Sequence, residues 1–589
     1  MRLLKAVLLA SGLAFAAQPA FASDEDVQAA RTSAFRPDPQ LTPTQRDNYR
    51  AVFAALRAQD WAGAAGRLDG MREGPLHDLA RAMLYTMPGS PRVELAPVLA
   101  LLQRTAELPQ AEALARLARS RGAESLPSLP PAQRLVGLGG QPRRARPRPI
   151  RGDEVADRLE PLIQPLIRDD KPQEAEALFS TRAEELSDEA RTAFQQRIAW
   201  VYYLNGFDAD ARRLGDLART GPTEYALHAE WVNGLAAWRM GDYAAAATHF
   251  GHVGTRSSDV ELAAAGHYWA ARADTAGGHP ERVQTRLRTA ARHSETFYGL
   301  LAQSALAIRQ APAEMTGLTA ADWRRISDIR NIRMAVALTE FGEDELASDL
   351  IRHQARIGVP AEHAALIHLA AGLDLTATQM WLSHNGPRGS RFGPRERYPN
   401  PSWRPARGWR VDPALAFAHA LQESNFRPSA VSPAGARGLM QVLPGTSRWM
   451  ARVNGGAGGV DPSRLFDPAT NIEYGQTFLE YLRDYSGTEG LLPKVIASYN
   501  AGPAPIAAWN ARFDQSDPLL YLETIPYWET RGYVPIVLRN YWIYEARNAD
   551  QSSSRRALAQ GMWPRFPGMS GPAAVRIAPR GRQTGMGRD

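Results

Sequence analysis

One spacing constrains this chain more than any other feature. Three stretches share a design: Lys171-Pro-Gln-Glu-Ala-Glu-Ala-Leu-Phe179, Gly206-Phe-Asp-Ala-Asp-Ala-Arg-Arg-Leu214 and Gly241-Asp-Tyr-Ala-Ala-Ala-Ala-Thr-His-Phe250. In each, a turn residue opens a helix that places small Ala near its middle and a large apolar residue near its end. Both intervals between their starts are 35 residues; Gly278 follows 37 later and Gly342 a further 64. Glycine at such a turn supplies the left-handed backbone that ends the preceding helix, and alanine lets paired helices approach closely. A helix pair of this kind buries its apolar face only against its neighbours, so an array of them stacks into a curved solenoid. From about Thr42 to Ala371 apolar residues recur at three- and four-residue spacing, as in Tyr49-Arg-Ala-Val-Phe-Ala-Ala-Leu56. The expected fold class is therefore mainly α, an α-superhelical solenoid of TPR-like helix pairs. Trp231, Trp238, Tyr268 and Trp269 fall on these helices and read as packing.

Composition excludes several chemistries. The 589 residues include no cysteine, which removes disulfides, thiolate metal sites, a cysteine nucleophile and lipid on an N-terminal Cys. The net charge of +7 is too small at this length to argue for a nucleic-acid partner. Residues 1–22 read as a secretory signal peptide: Arg2 and Lys5, an apolar run from Ala6 to Ala17, and Ala20-Phe21-Ala22 as the cleavage site. No later stretch is long and apolar enough to span a bilayer, so the chain is expected to be exported rather than membrane-spanning. Residues 23–384 are assigned to the solenoid. Within it, 126–152 is rich in Pro, Gly and Arg, as in Gln141-Pro-Arg-Arg-Ala-Arg-Pro-Arg-Pro149. It cannot be a helix interior and is expected to be a solvated loop. Residues 385–410 have a similar composition and read as a linker to a separate unit over 411–546. The basic segment 551–589 reads as a disordered tail.

The chemistry is concentrated after residue 411. Asp412 is a good N-cap and Pro413 suits a first turn. The helix they open reaches Glu423 near its C-terminal end, before Pro428 and Ser429. A carboxyl in an apolar cleft is costly to ionise, and the negative end of the helix dipole adds to that cost. Both favour a protonated general acid at neutral pH. Ser432-Pro-Ala-Gly-Ala-Arg-Gly-Leu-Met-Gln441 then forms a tight polar turn where a sugar could approach the backbone, and Gln441 offers both donor and acceptor.

These blocks resemble the soluble lytic transglycosylase family, the goose-lysozyme-like peptidoglycan lyases. The resemblance rests on Glu423-Ser424, Gly435-Ala-Arg-Gly-Leu-Met-Gln441, Asn471-Ile-Glu-Tyr-Gly475, Tyr499-Asn-Ala-Gly-Pro503 and Ile525-Pro-Tyr-Trp-Glu-Thr-Arg-Gly-Tyr-Val534, in family order. The solenoid and Phe297-Tyr-Gly-Leu-Leu301 are similar to the long periplasmic members. The resemblance implies a mostly α, lysozyme-like catalytic domain with Glu423 as its single acid/base. Ser432, Gln441, Tyr499, Asn500 and Glu529 would line the substrate cleft, and Leu443 stands where the long members usually have Met. No cofactor and no metal are implied. The implied substrate is the peptidoglycan glycan strand, the implied compartment the periplasm, and other cell-wall enzymes are possible partners of a monomer. Most glycosidases use two carboxylates about 5–5.5 Å or 6.5–9.5 Å apart; these blocks supply one obvious acid. The resemblance implies that the muramoyl 2-acetamido group assists and that the product carries a 1,6-anhydro end. The alternatives are a muramidase-type hydrolase on the same fold and a non-catalytic helical-repeat protein that binds peptidoglycan.

Overall fold

A computed structural model describes residues 35–309, 317–453, 462–548 and 552–579. Segment 1–22, read from the sequence as a signal peptide, lies outside them. The architecture is the expected one, helices throughout with only two short strand pairs among the described residues.

The repeat signal has a physical basis. Gly206, Gly241, Gly278 and Gly342 all adopt positive φ, +78° to +85°, at the turn between two helices. In the first repeat that position is taken by Asp170 (φ +57°) rather than Lys171. Five residues beyond the turn, Ala175, Ala211, Ala246 and Ala347 are each fully buried at the helix contact. The aromatics are packing, as expected. Trp269 is fully buried and meets Trp231 and Trp238 edge-on, with ring centroids 6.4 and 5.4 Å apart.

The array is not one continuous core. Helices between Pro43 and Ser120 bury their apolar faces against helices between Ala320 and His384. Arg46–Glu340 and Arg330–Asp78 tie the two groups together. Helices from Glu154 to Ala305 instead share a single core with the C-terminal lobe. The chain therefore closes on itself, its first helices packing against those that immediately precede the lobe.

Three segments differ from the sequence expectation. The 126–152 stretch is a loop, as expected, but a tethered one that runs as a strap across other elements. Its prolines deny it helical hydrogen bonds, so its backbone takes partners from the elements it crosses. Val136–Gly137 pairs with Asn385–Gly386, Ala145 N–H donates to Asp259 and Arg148 N–H to Glu224, and Arg539 donates to Pro142 O. Arg144 lies 4.7 Å over the Trp231 ring and makes a two-pronged contact with buried Glu523, at 2.8 and 3.1 Å. Tyr298 adds a third hydrogen bond to that carboxylate, 2.7 Å. The 385–410 segment is not a free linker: Tyr398 is fully buried, and Arg407 and Arg410 both bond Glu473.

The tail expected to be disordered is ordered over 552–579. Ser553–Ala559 forms a short helix, and Trp563–Pro564 pairs with Ala574–Val575. Leu558, Trp563 and Phe566 are buried, Trp563 donates to Gln515 O, and Ser554 accepts from Trp542. Polar composition on either side masked these few apolar anchors; residues 580–589 lie outside the described set.

Burial alone would raise the Glu523 pKa, but the Arg144 charge and hydrogen bonds hold it below the usual carboxylate range. A depressed carboxylate contributes stability above its unfolded pKa and loses it as pH falls through the folded value. Arg144→Ala leaves Glu523 buried without its charge partner and should destabilise by about 3–5 kcal/mol; Trp563→Ala should cost a similar ~3–5 kcal/mol. Calorimetric unfolding at pH 7 and pH 4 checks both. The Arg144 effect should shrink in acid and the Trp563 effect should not.

Candidate active site

Glu423 stands on the helix Pro413–Ser424. Asp412 caps its start by accepting from Ala414 N–H, and Asn425, in the left-handed region at φ +51°, ends it. Leu415, Ala416, Ala418, Ala420 and Leu421 seat the helix in the core, leaving Glu423 half-buried in its last turn. Oε1 of Glu423 accepts a 2.6 Å hydrogen bond from the Tyr533 hydroxyl. Burial pushes the Glu423 pKa up to about 7, the charge of Glu529 adds to the rise, and the Tyr533 hydrogen bond opposes it. The expectation of a raised acid at this helix end is met, with burial as its leading cause.

The Ser432–Gln441 block lies beside Glu423 as a loop whose successive carbonyls are each held by a different side chain. Asn471 Nδ2 donates to Arg437 O at 2.8 Å, and Gln441 Nε2 to Gly438 O at 2.8 Å. Ser424 Oγ donates to Leu439 O at 2.7 Å, and Tyr499 Oη to Met440 O at 2.8 Å. Asn471, fully buried, also donates to Leu465 O and accepts from Met440 N–H, which satisfies both ends of its amide. Gly438 is required here. Its φ is +74°, and a Cβ would sit 2.2 Å from Leu465 O and 2.3 Å from Asn471 Nδ2.

These contacts place the sequence-assigned residues unequally. Gln441 and Tyr499 use their donors on the loop backbone. Ser432 closes its own turn, its Oγ accepting from Ala436 N–H at 3.0 Å. Tyr499 remains close enough to Glu423 for that charge, after burial, to raise its pKa well above the ordinary value. Asn500 accepts from Thr530 at 2.6 Å and donates to exposed Glu529 at 3.2 Å, bridging the helices Leu492–Ala501 and Trp528–Glu545. Arg531, a sequence neighbour that could have paired with Glu529, instead donates to Ile525 O and packs 4.1 Å over Trp200.

Sequence reasoning assigned no role to four residues that the geometry brings in: Tyr533, Ser424, Asn471 and His419. The first three stand inside quoted blocks, so the signal was present without a reason to separate them from packing. His419 is fully buried one turn before Glu423, its ring 4.8 Å from that of Tyr499 and 6.2 Å from that of Tyr533. Burial lowers its pKa to about 4, so it is neutral at ordinary pH, donating from Nδ1 to Leu415 O. Among the described residues no group of three or more His, Cys, Asp or Glu is arranged to hold a metal ion.

Residues 402–521 match the Transglycosylase SLT domain family. That span starts inside the presumed linker and ends before Glu529 and Tyr533. The soluble lytic murein transglycosylase of Escherichia coli K12 is 38% identical over 132 residues, 22% of this chain and 20% of that protein. The membrane-bound lytic murein transglycosylase C of Actinobacillus succinogenes is 28% identical over 183 residues, 29% of this chain and 49% of that protein. The match thus spans about a fifth of the length of the soluble relative. In fold the likeness is broader. The 70 kDa soluble lytic transglycosylase of Escherichia coli superposes with TM-score 0.52 at 17% identity, over 89% of this chain and 99% of that one. An inactive Glu-to-Gln mutant of the lytic transglycosylase Slt from Pseudomonas aeruginosa gives 0.53 at 20% identity, over 86% and 81%. The motif blocks around Glu423 thus lie in a segment that matches the transglycosylase SLT domain family, and the chain as a whole shares the helical architecture of these two solved lytic transglycosylases.

Proposed function

We propose that this chain is a peptidoglycan lytic transglycosylase that cleaves the β-1,4 bond between N-acetylmuramic acid and N-acetylglucosamine. The observation that carries the reading is the Glu423 carboxyl, its pKa raised to about 7 and its Oε1 engaged by Tyr533. With Oε1 held as an acceptor, Oε2 carries the acidic proton. Glu423 passes that proton to the glycosidic oxygen as the C1–O bond breaks, and the muramoyl 2-acetamido group stabilises the developing positive charge at C1. The resulting carboxylate takes the proton of the muramoyl C6 hydroxyl, whose oxygen closes on C1. The products are a 1,6-anhydromuramoyl end and a free N-acetylglucosamine 4-hydroxyl; Glu423 is again protonated and no water is consumed.

Other side chains support this step. Burial and the Glu423 charge raise the Tyr533 pKa well above the ordinary phenol value, so it stays a donor throughout. Tyr499, Gln441 and Ser432 shape the loop against which the sugar rests. Asn500 holds Glu529 at the mouth of the cleft, where its charge helps to keep Glu423 protonated. The inactive Glu-to-Gln mutant named for the Pseudomonas aeruginosa structure is in keeping with a mechanism that hangs on one carboxyl. Export through a signal peptide at 1–22 into the periplasm, monomeric action and contact with other cell-wall enzymes complete the proposal. No helix among the described residues is long and apolar enough to cross a membrane.

Digestion of purified sacculi followed by mass spectrometry should show muropeptides with 1,6-anhydro ends. Reducing ends would make the enzyme a muramidase instead. Glu423→Gln should lower the rate by about 10²–10⁴-fold or more; fragments released at the wild-type rate would remove the assignment. The same variant carries a stability signature. A carboxyl whose folded pKa lies above its unfolded value contributes stability below the unfolded pKa and loses it as pH rises through the folded one. Above pH 7 Glu423→Gln should therefore melt at a higher temperature than the wild type, an advantage absent at pH 4.

The pH profile gives an independent check. Cleavage starts from protonated Glu423, so kcat/KM should fall as pH rises through about 7. Tyr533→Phe removes a hydrogen bond that favours the carboxylate, so its falling limb should move to higher pH while its maximal rate drops. A limb that stays in place or moves to lower pH would separate Tyr533 from the titration.

A further inference from the structure

The turn that carries Tyr533 is the weakest part of its helix. Pro535 stands inside Trp528–Glu545. A proline there has no N–H to give the carbonyl four residues back, which is that of Arg531, and its ring crowds the same carbonyl. Gly532, between Arg531 and Tyr533, adds backbone freedom and brings no side chain to pack. The stack of Trp542 on Phe297 lies beyond the proline, so it does not reach Tyr533 through an unbroken hydrogen-bond ladder. This turn needs a closer hold.

Arg531 provides one. Its guanidinium carbon lies 4.1 Å from the centre of the Trp200 ring and 5.1 Å from that of Trp528. Trp200 belongs to the superhelix, on the helix Asp188–Leu204, and Trp528 opens the helix that bears Tyr533. Nη1 of Arg531 donates to Ile525 O at 2.7 Å, just ahead of that helix. The pairing is aromatic rather than ionic, because Glu523, whose charge reaches Arg531, is taken by Arg144. One guanidinium thus joins a superhelix indole, the first turn of the helix and the backbone leading into it. Residues two apart on a helix lie on roughly opposite faces. Arg531 grips the superhelix on one side while Tyr533 meets Glu423 on the other.

Resting on the reading of Glu423 as the acid, we propose that Trp200 and Arg531 are positioning residues of the cleavage, a cation–aromatic clamp that sets the reach of Tyr533 to the carboxyl. Both act through Tyr533. The clamp stands in for the helix hydrogen bond that Pro535 removes. Indole faces hold a desolvated guanidinium firmly, and the Ile525 carbonyl fixes its rotation. Loosening the clamp lets the Tyr533 hydroxyl drift from Oε1 of Glu423 and weakens the one hydrogen bond that favours the carboxylate. The acid then titrates at higher pH, and its Oε1 is no longer held in place for the transfer.

The test is the pH dependence of kcat and KM for soluble glycan strands in the full-length protein. Trp200→Ala removes no charge, so any change in the titration of Glu423 comes through geometry. It should lower kcat about threefold to tenfold, leave KM unchanged and move the falling limb of kcat/KM to higher pH. Arg531→Lys keeps the charge but loses the flat fork, and should do the same from the other side of the contact. Trp200→Phe keeps an aromatic face and should restore the wild-type limb. In a Tyr533→Phe background Trp200→Ala should move the limb no further. A limb that stays in place in Trp200→Ala, with only the melting temperature lowered, makes the contact structural and overturns the clamp. An equal shift with and without the Tyr533 hydroxyl overturns it too. The two readings fail separately. Limb shifts that depend on Trp200 in a protein releasing reducing ends keep the clamp and refute the lyase chemistry. Anhydro products with a limb indifferent to Trp200 do the reverse.

Discussion

The hydrogen bond from Tyr533 to Glu423 depends on where one helix lies, and that helix answers to both halves of the molecule. Trp528–Glu545 packs along the acid-bearing helix Pro413–Ser424 and along Leu492–Ala501, which carries Tyr499 and Asn500. On its other side Trp542 stacks on Phe297 of the superhelix, centroids 5.1 Å apart and planes 18° from parallel. Two residues before Tyr533, Arg531 sits over Trp200. Any rotation or slide of this helix would move the Tyr533 hydroxyl relative to Glu423, so the superhelix bears on the acid through rigid packing alone.

The same arrangement explains how a carboxyl is kept both reactive and intact. Burial raises the pKa of Glu423 and the Tyr533 hydrogen bond limits the rise. The result is a group poised near neutrality, where it can both donate and accept a proton. Neutral His419 behind the two tyrosine rings adds polar volume without a competing positive charge, which would have pulled Glu423 back toward its carboxylate. The loop opposite is equally fixed. Four consecutive carbonyls, from Arg437 to Met440, are each bonded to a separate side chain. The backbone beside Glu423 is therefore held in one arrangement.

Much of this was legible in the sequence, and the exceptions share a cause. The superhelix could be read because its signal is local: a left-handed turn residue and a buried alanine five positions on repeat at nearly constant spacing. The helix end at Glu423 could be read from Asp412, Pro413 and Pro428 for the same reason. What stayed hidden depends on pairs far apart in the chain. Arg144 meets Glu523 across 379 residues and Tyr533 meets Glu423 across 110. In a single sequence a buried arginine in a Pro/Arg-rich stretch looks like a solvated one. The C-terminal segment failed in a related way. Trp563 and Phe566 anchor it against Gln515 and Gly490, yet two aromatics among polar residues produce no periodicity. Ser432, Gln441 and Tyr499 were expected to line a substrate cleft, and their hydrogen bonds within and to the loop could not be read without the partner atoms.

The Arg144–Glu523 pair shows what the strap adds. Removing two charges from water is expensive, and an apolar pair of equal volume would hold the surfaces together about as well. Such a pair would also tolerate sliding. A guanidinium seated on Trp231 and bonded through two nitrogens to one carboxylate accepts a single register. Glu523 ends the helix Pro518–Glu523, and Thr524 to Tyr527 are all that separate it from the Tyr533-bearing helix. Fixing the register at Glu523 therefore fixes the start of Trp528–Glu545, and with it the reach of Tyr533 to the acid. A chain without cysteine has no covalent means of setting that register, and a buried, directional charge pair supplies one.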